Sequence, residues 1–261
     1  MANPYNLTWD ATGERRYETG VDHGVLYTSK GTGTKAFTKA SVWNGLTSVT
    51  ETPSGAEAND IYADNIKYAV LRSAETLGGT IEAYMYPDEF CACNGEGTPD
   101  GLSGVYVGQQ TRAPFGFCYR SDVGDDSDPS IDVDNNYKLH LWWNCTASPS
   151  ERQYQTINDS PDAITFSWEI STTPIAVEGM KPTASMTIDT SKFANGSDMA
   201  AHFEVLLQVL YGTPAVAAVA GHGQQGDTDY VAPVEAQDAV PGYLPTPDEV
   251  IAILTNGVET A

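Results

Sequence analysis

A chain of 261 residues and 28.0 kDa, 41% hydrophobic with a mean hydropathy of −0.31, is long enough to bury one large β domain or two smaller ones. It holds no apolar run near the ~18 residues of a membrane span. A formal charge of −22 and a pI of about 4.2 argue against a surface that grips nucleic acid, which needs clustered Lys and Arg, and against binding to anionic membranes.

The start, MANPYNLTWD, lacks the basic and apolar segments of a secretory signal, so synthesis in a cytosol is expected. Short β-like runs then dominate, at residues 24–28, 41–51, 66–71, 80–86, 104–109, 115–121, 137–144, 163–170 and 184–188. Gly, Pro, Asn and Asp punctuate them. In the second run, Leu46, Ser48 and Thr50 alternate with Thr47, Val49 and Glu51, the period of two that a strand requires. Pro53, Ser54 and Gly55 break the pattern, and Glu57, Asp60 and Asp64 crowd the next stretch, so residues 52–65 read as an acidic loop. Trp142 and Trp143 point to opposite faces of their strand, so at most one is expected to pack inward.

Two helices stand out. Residues 197–211 place Met199, Phe203, Leu206, Leu207 and Leu210 near helical spacing, with Ser197 as N-cap and Gly212-Thr-Pro214 as the stop. Thr246-Pro-Asp-Glu249 is a capping box with proline at the first helical position, opening a short helix that ends before Asn256-Gly257. Between them, residues 214–245 are rich in Gly, Ala, Gln, Asp and Pro and read as a loop insertion in a single domain spanning residues 1–261. The fold expected is mainly β with flanking helices.

Chemistry is sparse. Gly31-Thr-Gly33-Thr-Lys35-Ala36 fits the loose dinucleotide pattern but leads into another strand rather than a helix, so a turn is expected. Gly101-Leu-Ser103-Gly104-Val105 lacks the last glycine of a nucleophile elbow. His23, His140, His202 and His222 form no spaced ligand pair. The run from Asp132 has Tyr137 and Trp143 where a calcium loop needs Gly and Glu. Glu82, Asp88 and Glu89 are close enough in sequence to suggest a glycosidase-like pair, but sequence does not give their separation. Cys91, Cys93, Cys118 and Cys145 read as free, partly buried thiols; a zinc site built from the four is the alternative. No catalytic, cofactor or metal site is expected.

The block WNGLTSVTETPSGAEANDIYADNIKYA, residues 43–69, resembles the major tail protein, or tail tube protein, of long-tailed siphovirus bacteriophages with non-contractile tails. Tyr17-Glu-Thr-Gly-Val-Asp22, residues 75–83, Tyr86-Pro-Asp-Glu-Phe90, residues 158–169 and Leu244-Pro-Thr-Pro-Asp-Glu-Val250 extend the likeness over most of the chain. The resemblance implies a tail-tube-type β-sandwich or small barrel. It also implies hexameric rings stacked into a hollow tube in the virion tail, assembled in the host cytoplasm. DNA would pass through the lumen without specific binding. Implied partners are other copies of the chain and the tail terminator, distal tail and tape measure proteins; no cofactor is implied. A loop reaching the adjacent ring is placed at residues 52–65, with Ser54, Glu57, Asp60 and Asp64 as its candidates. Two alternatives stand: a tube component of a contractile tail or secretion-type injection machine, and an acidic β-sandwich hydrolase or carbohydrate-binding module. The last predicts monomers with saturable sugar binding.

Overall fold

The computed structural model describes residues 9, 12–55, 57–126, 136–156, 163–194, 196–216, 218 and 236–258. Its strands are β1 (Tyr17–Lys30), β2 (Lys35–Trp43), β3 (Leu46–Gly55), β4 (Ala58–Ala63), β5 (Ile66–Arg72), β6 (Glu75–Ala83), β7 (Phe115–Gly124), β8 (Tyr137–Ala147), β9 (Phe166–Thr172), β10 (Ser185–Asp189), β11 (Gly212–Thr213), β12 (Val240–Pro241) and β13 (Leu244–Pro245). The helices are α1 (Asp198–Tyr211) and α2 (Pro247–Asn256).

The main sheet is antiparallel, in the order β13-β2-β1-β7-β8-β9-β6-β3, with β10 also on β8. It forks along β8. Residues Lys138 to Trp142 pair with β10, whereas Cys145 to Ala147 pair with β9. Asn144 stands at the fork with φ 48°, and its side-chain amide donates to the Thr173 carbonyl at 3.2 Å. That left-handed residue turns the strand from one partner to the other.

Beyond the fork the sheet rolls back on itself. Four strand spacings would put β3 ~19 Å from β7 in a flat sheet. Yet Glu51 of β3 accepts hydrogen bonds from Tyr119 of β7 at 2.9 Å and from Trp142 of β8 at 3.1 Å. The roll does not close into a barrel: β3 and β13 remain the ends of the strand order.

Rolling the sheet gives its central strands two covered faces. On one, Tyr27, Phe37, Leu139, Leu141 and Trp143 pack against Phe203, Leu206 and Leu210 of α1 and Val250 and Ile253 of α2. On the other, Leu26, Phe115, Phe117 and Trp142 meet Trp43, Ile81, Phe90 and Trp168. Trp142 and Trp143 are therefore both fully buried, and the expectation that at most one packs inward is wrong. A sheet covered on both sides carries apolar residues without alternation. Close approach sets glycine at two places: a Cβ on Gly116 would lie 2.3 Å from Leu244, and one on Gly79 2.8 Å from the Trp142 ring.

The helices follow their sequence signals. Ser197 Oγ accepts from the Ala200 amide and Thr246 Oγ1 from that of Glu249, each at 3.4 Å. Pro247 opens α2, and Gly257 ends it at φ 71°. Hydrogen bonds pin this layer to the sheet, from Tyr27 Oη to the Leu210 carbonyl at 3.0 Å and from Trp143 Nε1 to that of Pro245 at 2.8 Å. The insertion read at residues 214–245 is pinched at its base by β11 with β12 and by a bridge from Val216 to Gln237. Most of it, and the start of the calcium-like run at Asp132, lie outside the described residues. The run read as a strand at residues 104–109 is a loop with a single bridge, Gly97 to Val107. Gly33 sits in the expected turn between β1 and β2.

All four cysteines are free and buried. Cys118 faces the helical core and Cys93 and Cys145 the other, so the sheet separates them and they do not share a metal. Burial pushes the thiols of Cys93 and Cys118 up to about 12 and that of Cys91 to about 11. Since the thiolate is the reactive species, no thiol should react with Ellman's reagent at pH 8 in the native state, and all should after unfolding. A thiol titrating before unfolding would contradict this packing.

Candidate functional site

The surface that stands apart from both cores is built on β3 and β6. These pair antiparallel from Leu46 with Ala83 to Gly55 with Glu75. Instead of turning there, the ribbon continues into a second hairpin, β4 with β5, closed at Ala63 and Ile66. Asp64 and Asn65 at the tip have φ of 51° and 65°, the left-handed pair of a two-residue type I′ turn. Tyr68 is an extra residue on β5 between the Ala69 and Lys67 pairings, a bulge that increases local twist.

The segment expected as a loop at residues 52–65 is thus one limb of a projecting arm. Ser54 lies in β3, its hydroxyl 3.1 Å from that of Thr76 across the ribbon. Glu57 joins β3 to β4, Asp60 pairs with Lys67 at 2.8 Å, and Asp64 is at the tip. All four candidates share the arm. Residues 66–71, read from sequence as a strand, form its other limb.

Sequence reading missed the apolar half of this surface. Ile61, Tyr62, Ile66, Tyr68, Val70 and Leu71 are all exposed, Tyr62 by 66% and Tyr68 by 73%. None belongs to either core cluster. A lone two-stranded hairpin is marginal in water, and apolar side chains along it call for a partner surface. The signal was the strand pattern of residues 66–71, which carries no information about what covers it.

The arm is anchored at its base. Glu51, the last residue before it leaves the core, takes the bonds from Tyr119 and Trp142 already described. His140 Nδ1 lies 3.7 Å from its Oε1. His140, then Tyr119 and Trp142, hold the Glu51 carboxyl down to about 2 against the opposing effect of burial. At 3.7 Å the imidazole is a close polar neighbour rather than a hydrogen-bond partner. A carboxyl depressed from 4.5 to about 2 adds stability that is complete above 4.5 and is lost as pH falls toward 2. Glu51→Gln should therefore lower Tm at pH 7 and flatten its fall between pH 4.5 and 2. An unchanged acid slope in thermal melts would remove Glu51 from this role.

Ser121, His140 and two carboxylates form the one grouping among the described residues that looks like a hydrolytic centre. Ser121 Oγ lies 2.9 Å from His140 Nε2 and donates to Glu18 at 2.6 Å. It is only 6% exposed in the middle of β7, beneath a Tyr119 ring stacked on the imidazole at 4.5 Å. The hydroxyl proton is committed to Glu18, and the oxygen is not presented to a substrate. Glu82 and Glu89 are engaged separately, with Ser48 at 2.8 Å and Lys39 at 3.5 Å. Among the described residues no group of three or more His, Cys, Asp or Glu is arranged to hold a metal, and no helix is long and apolar enough to cross a membrane.

A search of curated proteins found no match. The sequence profile of the phage tail tube protein family matches residues 15–218, from just before β1 into the start of the insertion, and so takes in the whole arm and every strand but the short β12 and β13. The chain belongs to the phage tail tube protein family and is a structural component of a phage tail.

Proposed function

We propose that the chain, as one domain, polymerises into closed rings of six that stack into the tail tube through which genome DNA is delivered. The observation that carries this reading is the exposed apolar arm, which finds nothing to bury against in a single copy. Free sheet edges support it. Beyond Phe37, the outer edge of β2 has no strand partner among the described residues, and the strand order ends at β3. Ring closure would remove such edges by pairing neighbour with neighbour. Six copies at −22 each surround any lumen with strong negative charge, which keeps passing DNA from adhering. Terminator, distal tail and tape measure proteins complete the tail, and the subunit itself has no catalytic role.

Sedimentation over a range of concentrations tests the reading. Large, discrete assemblies should grow at the expense of monomer. A monomer at every concentration that binds oligosaccharides saturably would instead support the carbohydrate-binding alternative.

A further inference from the structure

The arm occupies one end of the β3–β6 ribbon, and a cleft opens at the other. Where Leu46 meets Ala83, a hollow of about 350 Å³ is lined by Val21, Val42, Trp43 and Leu46 together with the polar Asp22, His23 and Asn44. Val42 is 65% exposed on its wall. Exposed Tyr84 and Met85 stand beside it, the Tyr84 amide donating to the Gly45 carbonyl at 2.9 Å. The cleft makes few polar demands. Trp43 Nε1 already donates to the Met85 carbonyl at 2.9 Å, and Asp22 in the lining is held by His23 at 2.9 Å and Arg120 at 3.2 Å. With Asp22 and His23 already paired to each other, the cleft suits apolar side chains better than a small polar ligand.

We propose that this cleft receives the tip of the arm, Tyr62 and Ile66 beside the Asp64–Asn65 turn, from a second copy of the chain. The proposal rests on the polymer reading above and adds the polarity and partner surface of its growth. Exposure supports it: at the tip Tyr62 is 66% and Ile66 63% exposed, an apolar surface left uncovered in a single copy. Position supports it too. Donor and receptor lie at opposite ends of one ribbon, so the contact is head-to-tail. Each copy that accepts an arm still offers its own, so the contact propagates until its rotation closes a ring or, if it does not close, without end.

Cysteine pairing across copies tests this. The four native thiols are buried and do not compete. A chain carrying Tyr62→Cys and Val42→Cys, assembled and mildly oxidised, should lose its monomer band to a disulfide ladder on a non-reducing gel. The control, Tyr62→Cys with Glu151→Cys, places the second thiol in the Ser- and Thr-rich groove beside the arm's base and should stay monomeric on the gel. Val42→Asp should abolish polymers while leaving a folded monomer. Tubes that ladder only through the control pair, or tubes unaffected by Val42→Asp, overturn the cleft assignment and leave the tube reading intact. Failure of the unmodified chain to polymerise overturns both.

Discussion

Excising the arm is expected to abolish polymerisation without unfolding the subunit. The cut follows the register: residues 56–74 are removed and Asn-Gly joins Gly55 to Glu75, which already face each other as the last pair of the ribbon. The arm supplies no side chain to either core, so far-UV circular dichroism should keep its β signature and the melting transition should stay cooperative. Size-exclusion chromatography should then give a single monomer peak where the intact chain gives assemblies. Removing only residues 54–60 is a poorer experiment, because it strips β5 of its partner and leaves a new unpaired edge. Polymers formed by the armless chain would show that assembly runs through other surfaces.

The second large effect lies in the core. Trp142→Ala and Trp143→Ala should each cost about 3–5 kcal/mol, the range for truncating a buried large aromatic. Trp142 is wedged between Phe117, with ring centroids 6.0 Å apart, and the glycine at position 79. It also donates to Glu51, so its loss loosens the base of the arm as well. Trp143 fills the opposite core against the helices. Their indoles fill different cores, so the double variant should lose more than either single one and most or all of the ~5–15 kcal/mol stability of an ordinary domain. Guanidinium titrations measure this directly. A loss under ~1 kcal/mol for either residue would mean that one indole faces solvent after all.

Local chemistry was legible from sequence wherever a residue type does one job. Ser197, Thr246, Pro247 and Gly257 mark the helix ends because capping is decided within a few residues. Strands β7 and β8 were legible from their apolar, β-branched and aromatic content, but not their depth, since burial on both faces depends on the roll of a distant β3. The arm was misread for a related reason. Pro53 and Gly55 look like breakers, yet on an edge strand a missing amide costs no ladder bond. The Asp64–Asn65 turn lacks the glycine that usually advertises a hairpin, and asparagine and aspartate tolerate the left-handed region well enough to replace it. The assembly candidates Ser54, Glu57, Asp60 and Asp64 all fall on the one projecting segment. Their apolar neighbours escaped notice because a Tyr or Ile in a strand is ordinarily core, and only the fold reveals that this strand has no core beneath it.

Negative-stain microscopy of the purified, unmodified chain tests the central claim most directly. Stacked rings of uniform width with a central channel are the predicted result, and closed dimers or isolated monomers at every concentration would contradict it.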